Sequence, residues 1–255
     1  MSAKPVIYFG DTTLATAASY LAGVMTHTGI DFVYVPSAQR AKSTTIAAPR
    51  RLFIISDYPA VNFPRSLQRQ VVSQVQRGAG LLMIGGWESF CGSGGHWAGT
   101  PIGDILPVAI SKSDDRVNCD RPTLLVSTSD HAIIEGLPWD DHAPTIGGFN
   151  QFTPRAGGHV LLEAMTFDAR RAGNRMTFAV SRKAPILVIG QHGAGRTAAL
   201  ATDVAPHWVG GLVDWGVKRV SAKAARGDAV EVGEHYATFL SRLVRWTGAF
   251  EAVST

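Results

Sequence analysis

The sequence predicts an α/β fold: a mostly parallel sheet covered by helices on both faces, with antiparallel strands added by the second half of the chain. Three observations lead there. Strand-like and helix-like patterns alternate through the first half, and such alternation implies right-handed crossovers that place helices on both sides of a parallel sheet. The strand-like runs are continuously apolar rather than alternating, as expected of strands buried on both faces. Beyond Pro107 the pattern changes to strand-like runs joined by turns. With 255 residues, 45% hydrophobic and 17% charged, the chain can bury one substantial core, so residues 1–255 are expected to form a single domain.

Residues 6–9 are apolar and end in Gly10-Asp11, after which Leu14, Ala17, Ala18, Leu21, Val24 and Met25 recur at helical spacing. Asp11 can cap that helix, and Gly29 falls where a left-handed C-terminal cap would sit. Residues 32–35 are the second strand and residues 52–55 the third, closed by Ser56-Asp57. Pro64 opens a helix with Leu67, Val71, Val72 and Val75 on one face, and Gly78 ends it just before the fourth strand at 81–84. A glycine-rich loop follows, with Gly85, Gly86, Gly92, Gly94 and Gly95 around Cys91 and His96, and residues 100–107 read as a short helix ended by proline. Residues 124–126, 160–164, 176–180, 186–190 and 197–202 are strand-like, with a hairpin-type link at 191–196; the strands added here are expected to be antiparallel. Tyr236, Phe239, Leu240, Leu243 and Val244 make the apolar stripe of a C-terminal helix.

The formal net charge of +4 comes from short scattered pairs such as Arg50-Arg51 and Arg170-Arg171 rather than from a basic run. Neither the charge pattern nor any motif points to nucleic acid. Two cysteines, Cys91 and Cys119, are too few for a disulfide framework and lack metal-ligand spacing. The histidines are scattered without HExxH or paired spacing, so no metal site is expected, and no motif implies a cofactor. The first strand starts at Val6, too early for a secretory leader, and no apolar run has the length of a membrane span. A cytoplasmic protein with no membrane partner is the expectation; the oligomeric state stays open, a homo-oligomer among the alternatives.

In open α/β sheets, ligands bind beyond the carboxyl ends of the strands. Asp11, Asp57 and Asp203 all follow strand ends, with capping or turn formation as the alternative role of each. The loop after residue 84 offers Gly85, Gly86, Trp87, Ser89 and His96 as a pocket wall, and residues 202–215 add His207, Trp208, Asp214 and Trp215. A small-molecule ligand is the partner this arrangement fits. For chemistry, Cys91 would be the nucleophile, His207 its base and Asp203 the orienter of the imidazole, with loop amides receiving an oxyanion. The other reading makes Cys91 a small buried core residue and has His207 and the tryptophans seal the sheet end.

Four separated segments, 85–95, 100–108, 130–138 and 202–215, resemble in order the glutamine amidotransferase-like family over most of the chain. The resemblance implies a three-layer, flavodoxin-like sheet. In the wider class I group it implies a cysteine in a GxCxG elbow directly after the fourth strand, with a histidine and a glutamate near the C-terminus. This chain departs from that pattern: Trp87 or Glu88 stands at the elbow position, Cys91 lies further on between Ser89 and Ser93, and His207 is followed by Trp208. The expectation is a family member without the standard elbow that acts on or binds a small molecule in a cleft at the strand ends. The alternative is a non-catalytic ligand-binding or assembly module of the same fold, its pocket rich in Trp87, Trp97, Trp208 and Trp215.

Overall fold

The computed structural model describes residues 5–250. In chain order the elements are β1 (Val6–Gly10), α1 (Ala18–His27), β2 (Phe32–Val35), α2 (Ser43–Ile46), β3 (Leu52–Ser56), α3 (Arg65–Gln76) and β4 (Gly80–Ile84). There follow α4 (Pro101–Asp104), β5 (Val108–Ile110), β6 (Arg116–Asn118), β7 (Thr123–Ser127), β8 (Gly148–Asn150), β9 (Phe152–Pro154) and β10 (His159–Ala172). The last are β11 (Arg175–His192), β12 (Gly195–Leu200), α5 (Pro206–Val209), β13 (Arg219–Lys223), β14 (Ala229–Gly233) and α6 (Glu234–Thr247).

Eight strands form the central sheet in the order β2-β1-β3-β4-β12-β11-β10-β7. The first five are parallel and the remaining three antiparallel. One expectation is corrected here. The run at 197–202 is not part of the antiparallel addition: β12 lies parallel to β4, with Thr197 opposite Leu81, and pairs antiparallel only with β11. Its return through the tight 192–195 turn lets the chain insert a parallel strand between the two halves of the sheet.

Val6, Ile7, Tyr8 and Phe9 of β1, Leu52 to Ile55 of β3 and Leu81 to Ile84 of β4 are all fully buried, as continuous apolar runs require. Helices α1 and α6 cover one face, and α2 and α3 the other. Gly29 ends α1 with φ +70°, and Ile30 N reaches back to Met25 O at 2.8 Å, the left-handed cap the sequence predicts. The proposed Asp11 helix cap is not formed. Asp11 meets α1 through its backbone carbonyl, which accepts from Ala18 N at 2.8 Å, while its carboxylate points into the protein.

The runs at 176–180 and 186–190 fuse into the single 18-residue strand β11, paired with the 14-residue β10. Beyond Thr166 this hairpin leaves the sheet, because β7 stops at Thr123. The β13–β14 hairpin, which the sequence does not announce, packs on α1.

Candidate functional site

The chain leaves β1 towards β2 on one side and towards β3 on the other, so the order of the sheet reverses between β1 and β3. In open α/β sheets the crevice at such a switch point takes the ligand. Asp11 and Asp57 are the residues that follow these two strands. Both have left-handed backbones, φ +50° and +44°, and Thr12 follows at +58°. Aspartate tolerates this region better than most residues, yet each such turn costs about 1–3 kcal/mol and is held by its surroundings.

Those surroundings are specific. Tyr8 Oη donates to Asp11 Oδ2, and Ser56 Oγ donates to Asp11 Oδ1 at 3.0 Å. Asp57 N donates to Ser89 Oγ at 2.8 Å, and Ser89 Oγ in turn donates to Ile84 O, which ties the ends of β3 and β4 together. The Asp57 carboxylate accepts from the amide of Glu88. Gly86 is required for this approach: at φ +153°, a Cβ there would lie 2.5 Å from Asp57 Oδ1. From β12, Asp203 Oδ1 accepts from Val204 N at 2.6 Å and Ala205 N at 3.1 Å.

The three carboxylates act on one another. Burial pushes Asp11 well above the usual carboxylate range, and the charges of Asp203 and Asp57 push it the same way. Burial, then Asp57, raises Asp203 to about 7. Burial also raises Asp57, opposed by the Glu88 amide and by His207. The imidazole that the sequence couples to Asp203 therefore acts electrically on Asp57. Its ring is exposed and meets Trp87 edge-on, centroids 5.5 Å apart. The guanidinium of Arg116 lies over Trp87, 4.6 Å from its centroid. Arg116 is itself held by Asp114 at 2.7 and 2.9 Å. Trp87 is 43% exposed.

Cys91 lies on the inner side of the glycine loop, 6% exposed. Asp115, buried beneath the loop, accepts from Cys91 N and Gly92 N, both at 2.9 Å, and from Asn150 Nδ2 at 2.8 Å. Burial raises the thiol pKa, and the carboxylates of Asp115 and Asp114 raise it further, which favours the protonated thiol. Among the described residues neither His96 nor His207 hydrogen-bonds the sulfur. His96 is exposed and is tied to the loop by its amide, which donates to Cys91 O at 3.1 Å.

Asp11, Asp57, Asp203, Gly86, Trp87, Ser89 and His207 thus meet at the carboxyl ends of the parallel strands. Gly85 joins β4 to β12 through its amide, which donates to Leu200 O at 2.7 Å. The other expected residues are engaged elsewhere. Trp208 is buried, its Nε1 donating to Asn118 Oδ1 at 2.8 Å. Asp214 pairs with Arg219 at 2.6 Å on the surface. Trp215 packs at a tilt against Trp139, ring centroids 4.3 Å apart, and its Nε1 donates to His142 O at 2.6 Å. Trp97 is fully buried and donates to Tyr58 O at 2.9 Å. Of the four tryptophans expected to line a pocket, Trp87 alone is exposed. Sequence reasoning missed Tyr8, Ser56, Asp115, Arg116 and Asn150. The polar run around Asp115 was the available signal, but no spacing connects it to Cys91.

Comparison with known families agrees with this architecture. The family model described as "Putative glutamine amidotransferase" matches residues 3–220. The chain belongs to that family. Among solved structures, this glutamine amidotransferase-like chain is similar to the cytoplasmic protein STM3548 from Salmonella typhimurium, with 21% identity and a TM-score of 0.73 over 95% of this chain and 98% of that one. It is also similar to the cytoplasmic protein STM1381 from Salmonella typhimurium LT2, with 22% identity and a TM-score of 0.71 over the same shares. At these identities the likeness speaks for the fold. No curated protein sequence matches the chain. Among the described residues, no helix of this family member is long and apolar enough to cross a membrane, and no group of three or more His, Cys, Asp or Glu side chains is arranged to hold a metal ion.

Proposed function

We propose that this glutamine amidotransferase-like protein is a cytoplasmic binder of a small molecule carrying hydroxyl groups or a protonated amine, taken up at the carboxyl ends of β1, β3 and β12. The observation that carries the reading is the juxtaposition, at the switch point, of the half-buried Asp57 carboxylate with Trp87, an exposed indole fixed between Arg116 and His207. Three carboxylates that raise or resist one another's ionisation are relieved by a ligand that donates hydrogen bonds or brings positive charge. An indole fixed on two sides offers a flat apolar wall to the same ligand. Proton transfer at this site falls to Asp57, His207 and Asp203, the last having its pKa near 7, where exchange at neutral pH is easiest. Glutamine hydrolysis through Cys91 is not part of this reading, because a nucleophilic thiol needs a neighbour that favours thiolate, and Asp115 and Asp114 do the opposite.

The test is thermal denaturation against a panel of polyols, amines and amino acids, with wild type, Asp57→Asn and Cys91→Ala compared. A ligand at a hundred times its Kd adds about 2.7 kcal/mol of stability. The expected result is a ligand-induced rise in Tm that disappears in Asp57→Asn and survives in Cys91→Ala. Glutaminase turnover that is lost in Cys91→Ala would overturn the reading, as would ligand binding indifferent to Asp57→Asn.

A further inference from the structure

The hairpin of β10 and β11 projects past the end of β7 as a ribbon in which every residue from 169 to 183 is exposed. Its cross-strand pairs, Val180 with Phe167, Phe178 with Ala169 and Met176 with Arg171, put Phe167, Ala169, Met176, Phe178 and Val180 on one face, with Arg171 beside them near the turn. The opposite face carries Asp168, Arg170, Thr177 and Arg175. The ribbon is therefore amphipathic, with its apolar face bare: Met176 is 53%, Phe178 61% and Val180 50% exposed. Two strands alone are marginal in water, and this face lacks the third layer that stabilises the rest of the sheet. The ribbon is also basic. Asp168, its single acid, pairs with Arg121, whereas Arg170, Arg171 and Arg175 make no ion pair among the described residues.

The complementary charge lies in the same chain. Residues 128–142 contain Asp130, Glu135, Asp140 and Asp141 and no lysine or arginine, and all four acids are exposed and in no ion pair among the described residues. This loop walls a cavity of about 200 Å³ lined by Asp130, His131, Ile134, Glu135, Trp139 and Asp140. The ribbon cannot reach the loop of its own molecule. Thr123 of β7 pairs with Thr166 and Ser127 with Leu162, so ribbon and loop leave opposite ends of one edge strand, separated by the roughly 17 Å of a five-residue strand and pointing apart.

We propose that the ribbon docks on a second copy of this chain, its apolar face and the Arg171 guanidinium on that face laid against the acidic 128–142 loop, with the contact exchanged reciprocally about a two-fold axis. Because the two features sit at opposite ends of the same edge, a single rotation across that edge satisfies both contacts, which is what an isologous dimer requires. The ribbon extends roughly 20 Å beyond the sheet, at about 3.4 Å per residue. Two such ribbons exchanged can bury on the order of 1,600 Å², the size of a standard specific interface. The bare apolar face favours a protein surface over nucleic acid, whose phosphates would take the arginines but leave Phe178 and Met176 uncovered.

Sedimentation equilibrium of the full chain across a wide range of concentration tests this. The expected result is a dimer that weakens as salt is raised, with Phe178→Asp raising the dissociation constant at least about tenfold. Because Phe178 is exposed, its replacement should leave the thermal transition in place, which separates loss of the interface from loss of the fold. A charge swap gives the stricter test. Arg171→Glu, and separately Asp130→Lys with Glu135→Lys, should each weaken self-association at least about tenfold, and mixing the two variants should restore a heterodimer. A chain that is monomeric at every concentration overturns the proposal, and so does a dimer indifferent to Phe178→Asp or a mixture that fails to associate. Capture of duplex DNA by a monomeric wild type, lost in Arg170→Glu with Arg175→Glu, would assign the ribbon to nucleic acid instead and equally overturn it.

Discussion

Asn150 grips Gly86 from both sides of its backbone: Gly86 N donates to Asn150 Oδ1 at 2.9 Å, and Asn150 Nδ2 donates to Gly86 O at 3.1 Å. The side-chain amide acts as one rung of a β-ladder and continues the sheet past the end of β4. It is fully buried and also donates to Asp115 Oδ1. Asn150→Asp keeps the shape but removes both donors and sets a second negative charge beside Asp115. Leaving buried groups unpaired next to a like charge predicts a loss of about 3–5 kcal/mol. Asn150→Ala should cost about 2–3 kcal/mol. Urea denaturation of the two variants checks both values and their order.

The parts of this molecule that could be read in the sequence are those whose signal is local. Strands β1, β3 and β4 are continuous apolar runs because both faces are buried, and Asp11, Asp57 and Asp203 were found because each directly follows such a run. Asp115 and Asn150 were not, since they reach the glycine loop through the β6–β8 pairing, a contact that leaves no spacing in the sequence. Cys91 stood out for its glycines, yet the groups that set its chemistry come from outside the loop. Hairpin β13–β14 alternates outward Arg219, Ser221, Lys223 and Glu231 with inward Val220, Ala222, Val230 and Val232, but each strand is only five residues long, too short a run of alternation to stand out between loops. The length of β11 was invisible because the polar stretch 181–183 and Pro185 interrupt the run, and the pairing with β10, Pro185 opposite Glu163, carries the strand through them.

Asp203 makes stability depend on pH in a stated direction. Its pKa is about 7 in the folded protein against an ordinary 3.8, so between those values the folded state holds a proton that the unfolded state has released. Stability from this group is complete below about pH 4, declines as pH rises and is gone above about pH 7. Asp203→Asn keeps an oxygen for the amides of Val204 and Ala205 but carries no charge at any pH. It should match wild type near pH 4 and exceed it at pH 8 by up to about 4 kcal/mol. Chemical denaturation at the two pH values decides the matter. Equal stability of variant and wild type at pH 8 would mean that Asp203 is ionised at no cost in the native protein.

Gly86 should tolerate no side chain. The 2.5 Å approach of a Cβ to Asp57 Oδ1, at a φ of +153°, gives both a clash and backbone strain. Gly86→Ala is expected to destabilise by about 2–4 kcal/mol and to displace the Asp57 carboxylate. Gly94→Ala, whose Cβ would approach nothing closer than the Glu88 side chain at 3.7 Å, should be nearly neutral and serves as the control within the same loop. Differential scanning calorimetry of the pair reads the contrast directly.

The reactivity of Cys91 offers the sharpest probe of what the glycine loop does. Burial first, then Asp115 and Asp114, raise its pKa, so the thiolate fraction near neutral pH should be lower than in the unfolded chain. In a Cys119→Ser background, which removes the other thiol, alkylation by iodoacetamide at pH 8 is expected to run at least about tenfold slower in the folded protein than in urea, since the reaction needs both thiolate and access. Asp114→Asn removes one of the opposing charges from an exposed position and releases Arg116 from its carboxylate, so it should shift the pH–rate profile downwards without altering the fold. A wild-type profile with a midpoint below pH 7 would reverse the argument, because it would show a thiolate stabilised by a neighbour such as His207 and return Cys91 to the role of nucleophile.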